Sequence, residues 1–201
     1  MKKLFIYPSL YRSMKRGPQV ILPKDIGIIL AYTGVNKESI CVDAGTGSGW
    51  LAVSLARVAK KVYTYELRED FSKIAEKNII SLGLDNIVLK NKDVTKKVDE
   101  TDVDIFTLDM PNSEKALKNV KKALKNNGIV AAYIPHMEQV VKFSKVLTKL
   151  NFQNMHVVEC ILRDILVREE GMRPTTKGIW HTAYLVFAIK KDKIEKQEQN
   201  S

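Results

Sequence analysis

Four acidic residues stand where an alternating α/β chain would place its chemistry. Asp43 opens the run Asp43-Ala-Gly-Thr-Gly-Ser-Gly49. Glu66 follows the apolar stretch 61–65, Asp93 follows 87–89, and Asp109 follows 103–108. Gly45, Gly47 and Gly49 permit tight turning and let a ligand approach the main chain. A helix after them would add free N–H groups and a positive dipole end. Two cofactors compete for this loop, because Gly47-Ser-Gly49-Trp-Leu-Ala52 also fits a dinucleotide fingerprint with alanine in the third place. A methionine-derived cofactor has no pyrophosphate but carries an ammonium and a ribose. Asp43 could engage the ammonium directly or through water, and Glu66 could accept both ribose hydroxyls. Asp93 lies where an adenine amino group would want an acceptor. Taken singly, Glu66 and Asp93 could be ordinary polar residues at strand ends. One acid after each of three successive strands, with the glycine loop, points instead to S-adenosylmethionine. The candidate cofactor set is Gln19, Asp43, Gly45, Thr46, Gly47, Ser48, Gly49, Glu66, Asp93, Val94 and Asp109.

Asp109 opens Asp109-Met-Pro-Asn112 after the fourth strand. Ligands of open parallel sheets bind outside the carboxyl ends of the strands, so Asp109 lies near the presented methyl group. Its carboxylate could accept a hydrogen bond from an exocyclic amine and favour a cationic product. That suits a ring nitrogen of adenine, whose lone pair attacks without first losing a proton. Exocyclic amine methylation is usually served by an aromatic ring in the fourth place of this motif, which here is Asn112. A plain helix cap is the alternative role for Asp109.

The elements that must position these residues alternate along the chain. Strands are expected at 40–44, 61–65, 87–89, 103–108 and 129–134 from their short apolar runs. Helices are expected at 49–59, at 70–82 with Asp70 as N-cap, at 113–125 with Gly128 just past its end, and at 137–150. After Asn151 the pattern changes. Residues 156–167 and 181–190 are β-rich, with Gly171, Pro174 and Gly178 between them, and read as an antiparallel pair. The whole is α/β, a Rossmann-like class I methyltransferase with a mainly parallel seven-stranded sheet and an antiparallel C-terminal strand. Residues 1–24 read as a short N-terminal segment, 25–191 as the catalytic domain and 192–201 as a frayed polar tail.

The 201 residues suit one domain. No apolar run approaches the ~20 residues of a membrane helix, and the apolar stretch near the start is too short for a secretory signal. Cys41 and Cys160 lie in strand-like runs and read as buried free thiols, so the expected compartment is the cytoplasm. His136, His156 and His181 lack metal-ligand spacing, and no metal is expected. The net charge is +10 and the pI about 9.5, a surface that attracts polyanions.

Four motifs together resemble the TrmI family of tRNA adenine-N1 methyltransferases, which modify a T-loop adenosine. They are Arg16-Gly-Pro-Gln-Val-Ile-Leu-Pro-Lys-Asp25, the glycine loop, Tyr133-Ile-Pro-His-Met-Glu-Gln139, and Arg173-Pro174 followed by His181-Thr-Ala-Tyr-Leu-Val-Phe-Ala188. The glycine loop is common to many methyltransferases; the other three are distinctive as a set. The resemblance implies that Asp109 is the catalytic carboxylate, that Glu66 holds the cofactor ribose and Asp93 its adenine, and that the stretch from Gln19 to Asp25 folds over the cofactor. It also implies that Tyr133, Pro135, Gln139, Arg173 and His181 lie around the target pocket or the RNA path. It further implies a tRNA substrate with its adenosine flipped out, and a homotetramer.

The residues themselves allow plainer roles. Tyr133 could be core, Gln139 solvated and His181 structural; Arg173, in a punctuated loop, is the better phosphate ligand. Two departures from the family stand out. Only fifteen residues precede Arg16, so this reads as a short form without most of the small N-terminal β domain, and Leu22 replaces the aromatic residue often found before Pro-Lys-Asp. Two other readings remain: a small-molecule methyltransferase of the precorrin-decarboxylating type, and a non-catalytic tRNA-binding partner subunit.

Overall fold

A computed structural model describes residues 9–17 and 19–191. The expected polar tail and the start of the N-terminal segment lie outside the described residues. In chain order the elements are α1 (Ser9–Ser13), α2 (Pro23–Thr33), β1 (Ile40–Ala44), α3 (Trp50–Ala56), β2 (Lys61–Tyr65), α4 (Glu69–Ser81), β3 (Ile87–Lys90) and β4 (Val103–Leu108). A short 3-10 turn (Ser113–Ala116) follows, then α5 (Leu117–Ala123), β5 (Leu124–Ile134), α6 (Met137–Lys149), β6 (Phe152–Glu159), β7 (Ile165–Arg168), β8 (Gly171–Pro174) and β9 (Tyr184–Lys190).

Seven strands form one sheet in the order β3-β2-β1-β4-β5-β9-β6. Pairings among β1 to β5 are parallel, and β9 is antiparallel to both β5 and β6. This is the expected mainly parallel sheet with an antiparallel C-terminal strand. Successive side chains of a strand face opposite sides, and two apolar clusters result. Val42, Phe106, Leu108, Val130, Ala132 and Val186 face α5 and α6, where Leu117, Phe143 and Leu147 cover them. Cys41, Ile105, Ala131 and Leu185 face the other way, under Ile26 and Ile29 of α2, Leu55 of α3 and Ile79 of α4. Met14 and Ile21, ahead of α2, are buried in this second cluster. Among the described residues no helix is long and apolar enough to cross a membrane.

Several local expectations are corrected. The helix expected over 113–125 is a 3-10 turn and a two-turn helix that stops at Ala123. Gly128 is therefore no helix cap. It is a buried residue of β5 beside a register shift, where an added Cβ would lie 2.9 Å from the carbonyl oxygens of Lys125 and Val103. The α4 helix starts at Glu69 with Arg68 as N-cap, so Asp70 sits in the first turn and complements the helix dipole instead of capping. The β run expected over 156–167 is broken after Glu159. Lys24 Nζ takes the Cys160 carbonyl at 2.6 Å, and the chain turns into the separate β7–β8 hairpin. Cys41 is fully buried, and burial, followed by the charges of Asp104 and Asp43, pushes its thiol up to about 12. Cys160 is only half-buried.

The tight approach at Gly128 has a measurable consequence. Gly128→Ala must displace two backbone carbonyls, and the expected cost is about 1–3 kcal/mol, read as a lower midpoint in denaturant unfolding.

Candidate active site

The parallel register sets Asp43 directly between Thr64 of β2 and Thr107 of β4. All three share the sheet face that lies under α2 and α3. Thr107 Oγ1 donates to Asp43 Oδ1 at 2.7 Å, and Thr64 Oγ1 donates to Oδ2 at 2.8 Å. Because Thr64 has given its proton to Asp43, the 2.6 Å contact with Thr46 runs from the Thr46 hydroxyl to Thr64. Asp43 is 1% exposed. Burial pushes its carboxyl up to about 6; the Thr107 and Thr64 hydrogen bonds pull against this, and the Glu66 charge adds to it.

The glycine loop is stitched to the strand exits on both sides. Gly45 N donates to the Asp109 carbonyl at 3.1 Å, and Asp109 N to the Ala44 carbonyl at 2.5 Å. Thr46 N donates to the Tyr65 carbonyl at 3.0 Å, and Gly47 N to Glu66 Oε2 at 2.8 Å. Glu66 Oε1 accepts from Arg68 N at 3.0 Å. Gly47 and Gly49 have φ of +56° and +86°, left-handed values that favour glycine. An added Cβ on Gly45 would lie 3.5 Å from both the Asp109 carbonyl and Glu66 Oε2.

Three carboxylates thus gather at the exits of β1, β2 and β4. Burial first, then Asp43, then Glu66, pushes the Asp109 carboxyl up to about 7, although Asp109 keeps a partly exposed edge. Among the described residues the one ion pair to any of the three is Arg68 Nε at 3.6 Å from Glu66, and Arg68 is largely exposed. In the same glycine loop, Ser48 Oγ is buried without a hydrogen-bond partner. An acidic, weakly compensated pocket with an orphaned hydroxyl and a glycine cradle fits a cationic ligand that also carries acceptors.

The structure brings some of the expected site residues together and not others. Asp93 Oδ1 accepts from Thr95 N at 2.8 Å and Thr95 Oγ1 at 2.7 Å, which holds its carboxyl below the usual range. One of its oxygens is therefore committed to a local turn. Val94 is buried, and Asn119 on α5 ties this loop down by donating to the Val94 carbonyl at 2.8 Å. Tyr133 and Gln139 line a small cleft with Met110, Asn112, Glu114 and Pro135, next to Asp109. At its rim, His181 bonds Glu159 Oε1 through Nδ1 at 2.5 Å and the Pro135 carbonyl through Nε2 at 2.8 Å. Both partners are acceptors, and they raise the imidazole toward its charged form, Glu159 first and then the Pro135 carbonyl. Arg173 is exposed on the β7–β8 hairpin, and its described hydrogen bond, at 3.5 Å, is to the neighbouring Pro174 carbonyl. Gln19 is exposed ahead of α2. Leu22 is half-buried and caps α2, its carbonyl accepting from Asp25 N and Ile26 N.

Residues 6–179 match the family described as the tRNA methyltransferase complex GCD14 subunit. The chain belongs to this family. It is 35% identical, over 95% of its length and 79% of the relative's, to the tRNA (adenine(57)-N(1)/adenine(58)-N(1))-methyltransferase TrmI of Methanocaldococcus jannaschii. The crystal structure of the tRNA (m1A58) methyltransferase TrmI from Aquifex aeolicus superposes with a TM-score of 0.86 at 32% identity, covering 92% of this chain and 77% of that one. A SAM-dependent O-methyltransferase from Thermotoga maritima gives 0.88 at 35% identity, covering 94% and 74%. The mainly parallel sheet of this GCD14-family chain, with its one reversed strand, is the fold these relatives share.

Sequence reasoning missed Thr64 and Thr107, the two donors to Asp43. Their signal was there: each is a threonine inside a largely apolar strand, two positions before Glu66 and Asp109 respectively. It also missed Lys24 and Thr182 as partners of Asp25, for which only the charge of Asp25 within the buried stripe of α2 gave a hint.

The raised carboxyl of Asp109 fixes the sign of a pH effect. Between its ordinary value of 3.8 and about 7 the folded protein holds a proton that the unfolded chain releases. Stability of the unliganded protein therefore falls, through this group, as pH rises across that window. Asp109→Asn should flatten the slope and stabilise the protein at pH 8 by about 1–2 kcal/mol, less than the full shift because water reaches one edge of the group. Thermal unfolding of both proteins across the pH range measures this.

Proposed function

We propose that this protein transfers a methyl group from S-adenosylmethionine to N1 of an adenine in the tRNA T-loop, the position that its relatives' names give as 58. The observation that carries the reading is Asp109, a desolvated carboxylate at the exit of β4, between the acidic pocket and the Tyr133–Gln139 cleft. Family membership and the net charge of +10 support the choice of a polyanionic substrate.

The bound cofactor supplies an electrophilic methyl on a positively charged sulfur. Asp43 receives the ammonium end of such a ligand and Glu66 its ribose hydroxyls. Asp93 offers its remaining oxygen to the adenine, beside Val94. Gly45, Gly47 and Gly49 let the main chain of the loop approach closely, Thr46 braces Asp43 through Thr64, and Ser48 gives its buried hydroxyl. A cation in this pocket favours the ionised form of Asp109. The carboxylate then accepts a hydrogen bond from the exocyclic amine of the target base and fixes the direction of its N1 lone pair. It also stabilises the positive charge the base acquires. N1 carries no proton to lose, so the doubly bonded His181 is not needed as a base. Tyr133, Gln139 and the cleft around them receive the flipped base, with Leu22 and Gln19 on the segment over the pocket. Arg173 and the exposed hairpin meet the phosphate backbone.

In this reading residues 25–191 are the transferring unit, 1–24 a short N-terminal segment, and the protein works in the cytoplasm, where its substrate is. The grouping of Asp43, Glu66 and Asp109 at adjoining strand exits argues against a partner subunit without catalysis, and the basic surface argues against a small-molecule acceptor. Nucleoside mass spectrometry of tRNA incubated with enzyme and S-adenosylmethionine should show 1-methyladenosine; its absence with a competent tRNA would sink the proposal. Asp109→Ala should cost about 100-fold or more in turnover while cofactor binding, followed by calorimetry, changes little.

The reading includes a homotetramer. Val157, Leu162, Ile165, Val167 and Met172, on and between β6, β7 and β8, are apolar and 39–71% exposed. An apolar face of that kind is what a subunit contact covers. Light scattering after size exclusion should give a tetramer for the wild type and smaller species for Val167→Asp; a monomeric wild type overturns this part.

A further inference from the structure

Asn78 is the one buried polar side chain of α4, and the chemistry above makes no use of it. It is 3% exposed. Asparagine is a poor residue for a helix interior, and a buried amide persists where its polar groups are satisfied. Asn78 satisfies them outside its own helix. Its Oδ1 accepts from Lys15 N at 2.7 Å, and its Nδ2 donates to the Lys15 carbonyl at 2.9 Å. The second Nδ2 proton goes to the Ser48 carbonyl at 2.8 Å. One planar group thus pairs with both main-chain groups of Lys15, much as a neighbouring strand would, and also holds the glycine loop. Lys15 and Arg16 are exposed, so the main chain is what is gripped here.

The contacts around this pairing bring the N-terminal segment onto the pocket. Ser54 Oγ gives its proton to the Trp50 carbonyl at 2.6 Å, so its 2.8 Å contact with Tyr11 runs from the Tyr11 hydroxyl to Ser54. The Tyr11 ring stacks on Trp50, 4.6 Å between centroids. A Cβ added at Gly17 would lie 3.2 Å from Phe71 Cε1 and 3.6 Å from Ser48 Cβ, so the bare backbone of Gly17 sits against both residues. The Arg68 guanidinium lies over Phe71, 3.6 Å from the ring centroid, and Arg68 Nε stands 3.6 Å from Glu66 Oε1. The segment therefore reaches two residues of the cofactor set, Ser48 directly and Glu66 through Phe71 and Arg68.

We propose that Asn78 is a positioning residue for the cofactor. It clamps the main chain at Lys15 to the glycine loop at Ser48 and makes residues 15–17 a fixed wall of the cofactor pocket. The proposal rests on reading the glycine loop as the S-adenosylmethionine site. A wall that is already ordered spares the ligand the cost of ordering it. Ser48, whose buried hydroxyl lacks a protein partner, is held in one place by the same amide. Loss of the clamp then acts on cofactor affinity, chiefly through release.

The probe is S-adenosylhomocysteine, followed by calorimetry and by its dissociation rate. Asn78→Ala should raise its Kd about tenfold, mostly through faster release, with thermal unfolding still cooperative. Gly17→Val leaves Asn78 intact and forces a branched side chain against Phe71 and Ser48; it should weaken binding by a similar factor. The double variant should be worse than the weaker single one by less than about twofold, because both changes act on one wall. Hydrogen exchange reads the clamp without ligand. The Lys15 amide should be protected in the wild type and exchange rapidly in Asn78→Ala, while the amides of β1 and β4 stay protected.

Unchanged binding in both single variants would overturn the proposal, as would losses that multiply in the double variant. A Lys15 amide that exchanges as fast in the wild type as in Asn78→Ala refutes the clamp. Where Asn78→Ala loses protection throughout the sheet, Gly17→Val decides: weaker binding by a folded protein sustains the proposal, and unchanged binding defeats it. A wild type that binds no S-adenosylhomocysteine removes the cofactor reading and the proposal with it. A wild type that binds it no better than the two variants removes the proposal alone.

Discussion

A carboxylate in the middle of a parallel sheet loses most of its hydration, and Asp43 is held there by two hydroxyls, those of Thr64 and Thr107. The rest of the site depends on that arrangement. The two donors keep the group partly ionised against its burial, and they fix its direction toward the strand exits. The Thr46 hydroxyl extends the same chain into the glycine loop. The loop is in turn tied by main-chain bonds to the exits of β2 and β4, so its shape follows from the register of the sheet.

Around Asp43 the structure concentrates negative charge. Asp43 and Glu66 raise the cost of ionising Asp109, Glu66 raises that of Asp43, and Arg68 offers a distant, solvated counter-charge. Such a cluster is poised for a cation. The surface has the opposite character, with a net charge of +10 over the chain. A basic exterior attracts a polyanion, and the acidic interior accepts a cationic methyl donor; the two signs serve the two substrates of the proposed reaction.

The C-terminal third is shaped by a different constraint. Strand β6 pairs with β9 until Glu159, and the next carbonyl is taken by Lys24. There the chain leaves the sheet for the exposed β7–β8 hairpin. The same lysine also binds Asp25 and Thr182, so the first turn of α2, the end of β6 and the approach to β9 are joined by three side chains.

The acids Asp43, Glu66 and Asp109, the glycine loop and the order of strands and helices were all legible in the sequence, because each is a local pattern. A strand announces itself by its own apolar residues, and the acid that follows lies at the functional edge of any open parallel sheet. Boundaries that hinge on distant neighbours were not legible: the short α5, the buried Gly128 and the break after Glu159. The turn that takes one oxygen of Asp93 was legible as Asp93-Val-Thr95 but was read only for its charge. Tertiary structure alone placed Thr64 and Thr107 either side of Asp43, 21 and 64 residues away in sequence. It alone joined Asp25 to Thr182 across 157 residues. Periodicity reports on neighbours within a turn or a strand, whereas a hydrogen bond between strands is set by the register of the sheet. So the sequence by itself determined which groups stand at the strand exits, and the fold decided which of them touch and which are buried.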